Sequence, residues 1–515
     1  MAIKSFTQKL GRSIQFAEIA TLATMSKVLP TDWAKNATRK IYADKLIDLR
    51  GVPMKIGQIL SLSENNDGDQ LFKETLNNAK PMPLDVLTSQ INKDCLSWQE
   101  NIETISEKGI PASLGQVHEV KMKDGRICAL KIQYPGIHVN MDLDQALMGL
   151  LIKSFDSFKE GFELKDYESI IKQELQQELD YKLEVETQEF LHNIFKPFPE
   201  IIIPQPYSNE SGASHILMNW EDSVDIHTFI STASKEDKII ASSHLVRFFF
   251  HMIYQGAYVH ADPNPGNFGF RGTGQSLKLV VYDYGSVVNM SKVKSLSLLK
   301  IFECVQKGKG DIRPWLKNLG FNIELLNHMN SRLLAFFDLL FEPFLSQGRY
   351  DLGNWNRKER AKDILGEDRW NFMLAAPADF LSFMRFVHGF FYYLGQLGQG
   401  VYVKPILNEY INRYQSSLDK MIPPKINEPE IDFKMAQHLQ IKVSENGKTK
   451  VNLKFPRSSI ESLESIMDDE LTENLENQGI KLHEIVRKAR EASYIPMDLF
   501  VINKPDKEIT VSLVL

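Results

Sequence analysis

Alternation between apolar and polar positions predicts a β-hairpin in the first third of the chain. Gln116–Lys121 and Arg126–Ile132 have the residue pattern of strands, and Lys123–Gly125 between them has the composition of a tight turn. The apolar runs Ile201–Ile203 and Ile216–Trp220 predict two further short strands. This segment is therefore predicted to be rich in β-structure.

Apolar residues at helical spacing predict helices through most of the remaining chain. Asp166–Phe190 carries an apolar stripe on one long, charged helix, and residues 225–259 and 290–420 are predicted to be mainly helical.

The pattern changes after the proline-rich stretch Ile422–Pro429, which predicts a linker. Two alternating runs flank Asn446-Gly447, a pair typical of a hairpin turn. An acidic helical stretch at 459–492 and a closing strand at Ile509–Leu515 follow. Together they predict a small α+β appendage at 436–515.

The amino-acid composition limits the classes of protein to which this chain can belong. The chain has 515 residues, of which 43% are hydrophobic and 24% charged, and this is typical of a globular protein rather than a disordered one. The net charge of −6 gives no reason to expect a nucleic-acid partner. Cys95, Cys128 and Cys304 are far apart, which indicates reduced thiols rather than a disulfide framework or a zinc site.

The first 55 residues differ from the rest in charge, with ten Lys and Arg against four acids. Ile3, Phe6 and Leu10 fall on one stripe of a predicted helix. Such a segment can bind an anionic membrane, or it can pack on its own domain with a solvated basic face. No apolar run approaches the roughly 18 residues that span a bilayer, and no signal peptide is evident. We therefore expect a cytoplasmic protein whose membrane contact, if any, is peripheral.

The strongest chemical signal is the sequence HADPNPGN at His260–Asn267. Asp262 and Asn267 have the spacing of the catalytic loop of kinases, and the intervening prolines and glycine stiffen the backbone. An apolar run then leads to Asp283, followed by Tyr284-Gly285.

These side chains suit phosphoryl transfer, in which Mg²⁺ neutralises phosphate charge. The Asp283 carboxylate and the Asn267 amide oxygen are predicted metal ligands, because Mg²⁺ prefers oxygen. Asp262 is predicted to orient or deprotonate the acceptor hydroxyl or water. An isolated Asp-x-Gly is usually a surface turn, but the pairing with the loop favours a site.

Lys131 lies in the second strand of the predicted hairpin, where a buried ammonium group needs an anion. In a kinase-like site that anion is the nucleotide phosphate, with a helix glutamate as a second partner. The alternative is a lysine on the solvent face of the strand. For the glutamate, Glu178 is the first choice and Glu184 the second.

Pro111–His118 stands where kinases carry a glycine-rich phosphate loop, but it contains one glycine. Backbone N–H groups can still face phosphates, in a stiffer loop. The predicted ATP- or ADP-binding residues are Ala112, Ser113, Gly115, Val117, Lys131, Met218 and Trp220.

With these motifs assembled, the chain resembles the UbiB/AarF family of atypical kinases. The resemblance covers about residues 40–400 and includes the catalytic loop and the Asp283-Tyr284-Gly285 triplet. Asn264 stands where histidine is common, and Tyr284 replaces phenylalanine. Three further motifs match: Lys55-x-Gly57-Gln58 (KxGQ), Ala112–His118 (the Ala-rich loop) and Glu178-Leu-Asp180 (ExD).

The resemblance implies an α+β, two-lobed protein-kinase-like fold. Its expected parts are a helical extension with the regulatory KxGQ motif at 1–100, an N-lobe at 101–220, a helical C-lobe at 221–420 and the appendage at 436–515. The extension is expected to fold over the active site and obstruct a protein substrate. The appendage occupies the place of the C-terminal membrane-spanning helices of some members.

The resemblance also implies Mg²⁺-dependent ATPase chemistry that supports isoprenoid quinone (ubiquinone) biosynthesis or membrane-lipid handling, with a lipid or quinone-precursor substrate. Two alternatives remain: a kinase that phosphorylates a small molecule or protein, and a nucleotide-binding pseudokinase scaffold. Retention of Lys131, Asp262, Asn267 and Asp283 argues against the scaffold. A non-kinase metal hydrolase is disfavoured because no His/Asp cluster has ligand spacing.

Overall fold

The computed structural model forms two compact units, the first comprising the chain up to Thr232 with His260–Val288, the second Ala233–Val259 with Asn289–Leu515. The described residues are 41, 82–95, 98–112, 114–135, 137, 164–262, 264–377, 379–426, 434–446, 448–463, 467, 475, 481–504 and 507–515.

The first 289 residues contribute eleven strands to the described part of the chain, and four of their α-helices belong to the first unit. The strands are Ile102–Ile105 (β1), Ile110–Pro111 (β2), Gly115–Met122 (β3), Ile127–Gln133 (β4), Ile201–Ile202 (β5), His215–Asn219 (β6), Val224–Asp225 (β7), Tyr258–His260 (β8), Phe268–Arg271 (β9), Lys278–Val281 (β10) and Val287–Asn289 (β11). The helices are Leu84–Asp94 (α1), Leu164–Leu179 (α2), Tyr181–Phe195 (α3) and Ile226–Thr232 (α4).

The predicted hairpin is confirmed, and it forms the centre of a five-stranded sheet ordered β1-β3-β4-β6, with β2 also on β3. Because side chains alternate across a strand, β4 presents two different faces. Cys128, Leu130 and Ile132 point into a hydrophobic core shared with α1. The residues between them, including Lys131, point to the opposite face.

The prediction of one helix across Asp166–Phe190 was wrong, because the chain breaks at Asp180. The backbone of Asp180 leaves the helical region, with φ −86° and ψ 81°. Its carboxylate accepts a hydrogen bond from the backbone N–H of Leu183 at 3.1 Å, which satisfies a donor at the start of α3. The two helices can therefore point their acids in different directions.

A second sheet in the first unit, ordered β5-β10-β9-β7, carries the predicted catalytic segments. Strands β9 and β10 are antiparallel, with Phe268 opposite Val281. Asn267 precedes β9 and Asp283 follows β10, so the pairing brings these ends together, and the N–H of Tyr282 donates to the carbonyl of Asn267 at 3.0 Å. Strand β9 was not predicted from the sequence.

The second unit is largely helical, as predicted for residues 290–420, and aromatic side chains dominate its core. Phe249 stacks between Phe386 and Phe390, with ring centroids 4.6 and 4.0 Å away. No helix in the described ranges is both long enough and apolar enough to cross a membrane. The helices are Lys235–Phe250 (α5), Lys292–Lys307 (α6), Arg313–Asn318 (α7), Asn330–Leu345 (α8), Arg357–Leu365 (α9), Arg369–Ala375 (α10), Phe380–Leu397 (α11), Lys404–Asp419 (α12) and Leu482–Glu491 (α13).

The appendage is an antiparallel sheet ordered β13-β12-β15-β14, with helix α13. The hairpin around Asn446 and the closing strand are confirmed, whereas β14 was not predicted. Much of the acidic stretch at 459–492 lies outside the described residues. The strands are His438–Glu445 (β12), Lys448–Pro456 (β13), Met497–Lys504 (β14) and Lys507–Val514 (β15).

Ion pairs fasten this appendage to the helices of the second unit. Glu461 pairs with Arg360 of α9 at 3.2 Å and with Arg490 of α13 at 2.6 Å. The Tyr494 hydroxyl donates to Glu461 at 2.7 Å, and Arg490 also reaches Asp363 of α9 at 2.8 Å. These largely buried charges hold the appendage in one position on α9.

We expect Glu461→Ala to lower the free energy of unfolding by about 2–3 kcal/mol, because it removes one partner of a buried charge network. The loss should stay below that of an isolated pair, since Arg360 and Arg490 each keep another carboxylate. Chemical denaturation measures it. The matched control is Glu484→Ala, which removes an exposed pair with Lys481 and should change little. Equal effects of both variants would contradict this role of Glu461.

Candidate active site

Lys131 of β4 is the centre of a buried charge cluster in the first unit. Lys131 is 6% exposed, and its ammonium nitrogen lies 2.6 Å from Glu184 Oε1 and 3.2 Å from Asp283 Oδ1. The ring of Tyr181 lies below the ammonium, with its centroid 5.2 Å away. Burial alone would lower the pKa of Lys131, but the charges of Asp283 and Glu184 raise it well above its ordinary value. The lysine is therefore held in its charged form.

The first-choice partner of Lys131 was wrong, because Glu184 makes the ion pair and not Glu178. The break at Asp180 explains this result: Glu184 lies in the first turn of α3, whereas Glu178 ends α2. Glu178 instead packs against Gly285, where an added Cβ would lie 3.1 Å from its Cγ. Asp180, the other acid of the ExD motif, is exposed and caps α3.

The second member of the cluster is Glu184, whose carboxyl group has a raised pKa. Burial raises its pKa to about 7, although Lys131 opposes this shift. Oε1 accepts from Lys131 and from the N–H of Tyr284 at 3.3 Å. The other oxygen, Oε2, is buried and accepts no hydrogen bond from the described residues. One carboxylate oxygen is thus available for a cation or a donor from a ligand.

The Asp283-Tyr284-Gly285 triplet is fixed on several sides. Asp283 Oδ1 accepts from the N–H of Gly285 at 3.0 Å, in addition to its ion pair with Lys131. The buried Tyr284 hydroxyl donates to the carbonyl of Val281. These bonds orient the Asp283 carboxylate toward the lysine.

His260 supports the triplet from the first residue of the catalytic loop. Its Nε2 lies 2.6 Å from the Asp283 carbonyl. Burial lowers the pKa of His260, although the Asp262 and Asp283 charges oppose this, so a neutral ring donates Nε2–H to that carbonyl. The sequence interpretation gave no role to His260 or to Tyr181. His260 begins the catalytic loop and Tyr181 directly follows the ExD motif, but their buried contacts are with residues distant in sequence.

The catalytic loop is buried at its two ends, Asp262 and Asn267, and is internally hydrogen-bonded. The Asn267 side-chain Nδ2 donates to the carbonyl of Asp262 at 3.2 Å, and its amide oxygen accepts no hydrogen bond from the described residues. Asn264 accepts from the N–H of Gly266 at 3.0 Å and so caps the short 3₁₀ helix Pro265–Asn267. Asparagine can make this turn at a position where histidine is common in the resembling family.

Most of the predicted nucleotide-binding residues share one face of the first sheet. Val117 lies opposite Lys131, and the neighbouring strand brings Met218 opposite Ala129 on the same face. Trp220 follows β6, with its backbone N–H donating to Ile127 at 3.2 Å. This grouping follows from strand register alone.

The Ala-rich loop closes tightly before β3, with the N–H of Ala112 donating to the carbonyl of Gly115 at 2.9 Å. A Cβ at Gly115 would lie 2.2 Å from the carbonyl oxygen of Ile132. Glycine is therefore required here by the close approach of β4, whatever its role toward phosphate. Ser113 and the KxGQ residues Lys55, Gly57 and Gln58 lie outside the described residues.

The donor atoms at this site fit Mg²⁺ better than a softer metal. Asn267 and Asp283 offer oxygens, and the described ranges contain no cluster of three or more His, Cys, Asp or Glu that could hold a metal alone. Mg²⁺ commonly takes one or two carboxylates and completes its shell with phosphate and water. Two protein oxygens beside the Lys131 ammonium group are consistent with this type of coordination.

Comparison with known proteins also identifies a kinase-like domain. Residues 74–311 match the ABC1 atypical kinase-like domain. AarF domain-containing kinase 1 of Drosophila melanogaster is 27% identical, over 50% of this chain and 52% of that protein. Atypical kinase COQ8B, mitochondrial, of Rattus norvegicus is 23% identical, over 74% of this chain and 73% of that protein.

A solved structure supports the fold but not a function. Rv3197 of Mycobacterium tuberculosis, solved in complex with erythromycin, has a TM-score of 0.50 at 20% identity, covering 74% of this chain and 97% of that one. The chain spans about half the length of the first curated relatives, 52% and 55%. From its domain match and these relatives, the chain has a kinase-like α+β fold and carries, at residues 74–311, the ABC1 atypical kinase-like domain that is found in the UbiB/AarF atypical kinases.

Proposed function

We propose that this protein binds ATP with Mg²⁺ and hydrolyses it, and that this chemistry supports isoprenoid quinone (ubiquinone) biosynthesis or membrane-lipid handling. The observation that carries the proposal is the buried ion cluster of Lys131, Glu184 and Asp283. A permanently charged ammonium group on the nucleotide face of the sheet suits a phosphate ligand. The family and the COQ8 relatives support the quinone-related role.

Each residue has a distinct task in the proposed reaction. Lys131 orients the nucleotide phosphates, and Glu184 keeps the lysine in place. Asn267 and Asp283 hold Mg²⁺, which supplies neutralisation of the charge that develops on the transferred phosphoryl group. Asp262 orients or deprotonates the attacking water or acceptor hydroxyl.

The regulatory and membrane-related parts of the proposal concern the N-terminal segment. Lys55 and Gln58 would restrict access of a protein substrate to the nucleotide. The basic charge of the first 55 residues favours peripheral contact with an anionic membrane, which would bring the site near a lipid or quinone-precursor substrate.

The test is phosphate release by the purified full chain with ATP. We expect turnover that requires Mg²⁺, stops with excess EDTA and rises with phosphatidylglycerol vesicles or a short-chain quinone analogue. Stable transfer of phosphate to a protein or small hydroxyl compound would favour the alternative of a kinase. Nucleotide binding without any turnover would favour a scaffold and contradict the proposal.

A further inference from the structure

A cavity of about 530 Å³ is lined entirely by residues of the second unit. It lies between the start of α9 and one side of α11. The residues that determine its chemistry are Trp355, Arg357, His388, Phe391, Tyr392 and Gly395.

The cavity has an aromatic lining. Trp355 and Phe391 are buried, at 5% and 8% exposure, and their ring centroids are 4.8 Å apart at an interplanar angle of 59°. The indole N–H of Trp355 already donates to the carbonyl of Leu339 at 3.0 Å. The tryptophan therefore borders the cavity with apolar ring atoms and with its N–H already hydrogen-bonded, and Tyr392 adds a third ring. Such a lining suits a flat apolar or aromatic group.

A cation lies directly beside this aromatic surface. The guanidinium carbon of Arg357 is 5.1 Å from the centroid of the Trp355 ring. No carboxylate in the described ranges lies within ion-pairing distance of Arg357. Burial lowers the pKa of Arg357, and no neighbouring acid offsets this shift. A partly buried guanidinium without a counter-charge is a receptor for a carboxylate or phosphate group.

The charges of the other lining residues cancel, so the net positive charge of the cavity comes from Arg357. Lys358 contributes a second cation and Glu359 one carboxylate, while His388 lines the opposite wall. The cavity also meets the first turn of α9, where Asn356 adopts φ 46° and its side chain caps no N–H group. The backbone N–H groups of that turn favour an anion as well.

We propose that this cavity binds a small aromatic anion, with its ring on Trp355 and Phe391 and its carboxylate or phosphate on Arg357 and the first turn of α9. None of the residues that line this cavity belongs to the proposed nucleotide site. The proposal therefore does not depend on ATP turnover.

Gly395 allows the cavity to be filled without strain. A Cβ at Gly395 would meet no atom within 4 Å, and the glycine lies inside helix α11. Gly395→Phe should therefore occupy the cavity and retain the helix, since a glycine in a helix interior is itself unfavourable. Met384→Phe is the matched control, because Met384 is 45% exposed on the same helix and does not line the cavity.

The experiment is calorimetric titration of the full chain with naphthalene-2-carboxylate, and with naphthylmethylammonium as the cation of matched shape. We expect the carboxylate to bind wild type and Met384→Phe with equal affinity. It should bind Arg357→Met at least about tenfold more weakly than wild type, and it should not bind Gly395→Phe. The cation should bind wild type at least about tenfold more weakly. Thermal denaturation checks that each variant is folded.

Three results would overturn the proposal. The first is failure of folded wild-type protein to bind the carboxylate, the second is binding to Gly395→Phe as tight as to wild type, and the third is binding of the cation as tight as that of the anion. The Arg357→Met variant provides an independent test if Gly395→Phe does not fold, because unchanged affinity there excludes the proposed anion contact.

Discussion

Asp283→Asn is expected to reduce Mg²⁺-dependent ATP hydrolysis by at least about a hundredfold while the chain stays folded. The substitution removes the negative charge proposed to hold the cation, and preorganised charge of this kind contributes strongly to phosphoryl transfer. Asparagine keeps an oxygen that can accept from the N–H of Gly285. Lys131 keeps its shorter ion pair with Glu184, so the fold should not depend on Asp283. Phosphate release at several Mg²⁺ concentrations measures the effect.

Asp124→Asn makes the same chemical change outside the site and serves as the control. Asp124 is exposed in the turn between β3 and β4, where asparagine is well tolerated. It should leave turnover unchanged. Wild-type turnover by folded Asp283→Asn would remove Asp283 from the proposed mechanism.

Lys131→Met is expected to lower the free energy of unfolding by about 3 kcal/mol, in addition to abolishing turnover. The substitution leaves Glu184 and Asp283 close together without their shared cation, and an uncompensated buried charge is strongly destabilising. Chemical denaturation gives the loss. Lys121→Met is the control, because Lys121 makes only an exposed pair with Glu103 and should cost little.

The loss of stability in Lys131→Met should increase as the pH rises. Glu184 has a pKa of about 7 in the folded protein, above its ordinary value, so its ionisation costs stability as the pH rises toward 7. Above pH 7 only wild type has Lys131 to stabilise the ionised carboxylate. The difference between Lys131→Met and wild type should therefore widen from pH 6 to pH 8.

A double-mutant cycle distinguishes loss of the Lys131–Glu184 interaction from a general loss of stability. Adding Glu184→Gln to Lys131→Met should restore about 2 kcal/mol, because the buried charge is removed with its partner. Strictly additive losses, or a difference from wild type that stays constant with pH, would show that the two side chains are not coupled.

Local sequence was sufficient for the hairpin that carries Lys131 and for the two motifs that carry Asp262, Asn267 and Asp283. The hairpin of β3 and β4 follows from alternation around a short turn, and all its residues are neighbours along the chain. The catalytic loop and the Asp283 triplet were identified from spacing, and the antiparallel pairing of β9 and β10 brings their ends together. Their proposed catalytic roles still rest on the experiments above.

Local sequence was insufficient to assign a role where several residues of one type could fill it. Glu178 and Glu184 have the same chemistry and similar spacing, and the helix break at Asp180 decides which one meets Lys131. Gly115 was interpreted as part of a phosphate loop, whereas the structure shows that close contact with Ile132 requires it.

The sequence by itself determined the family resemblance, the hairpin and the order of the motifs, because these depend on residues close together in the chain. Only the tertiary structure decided the partner of Lys131, the attachment of the appendage through Glu461, and the aromatic cavity beside Arg357. Each of these depends on contacts between residues far apart in sequence, and burial gives such contacts their energy because it removes the competing water.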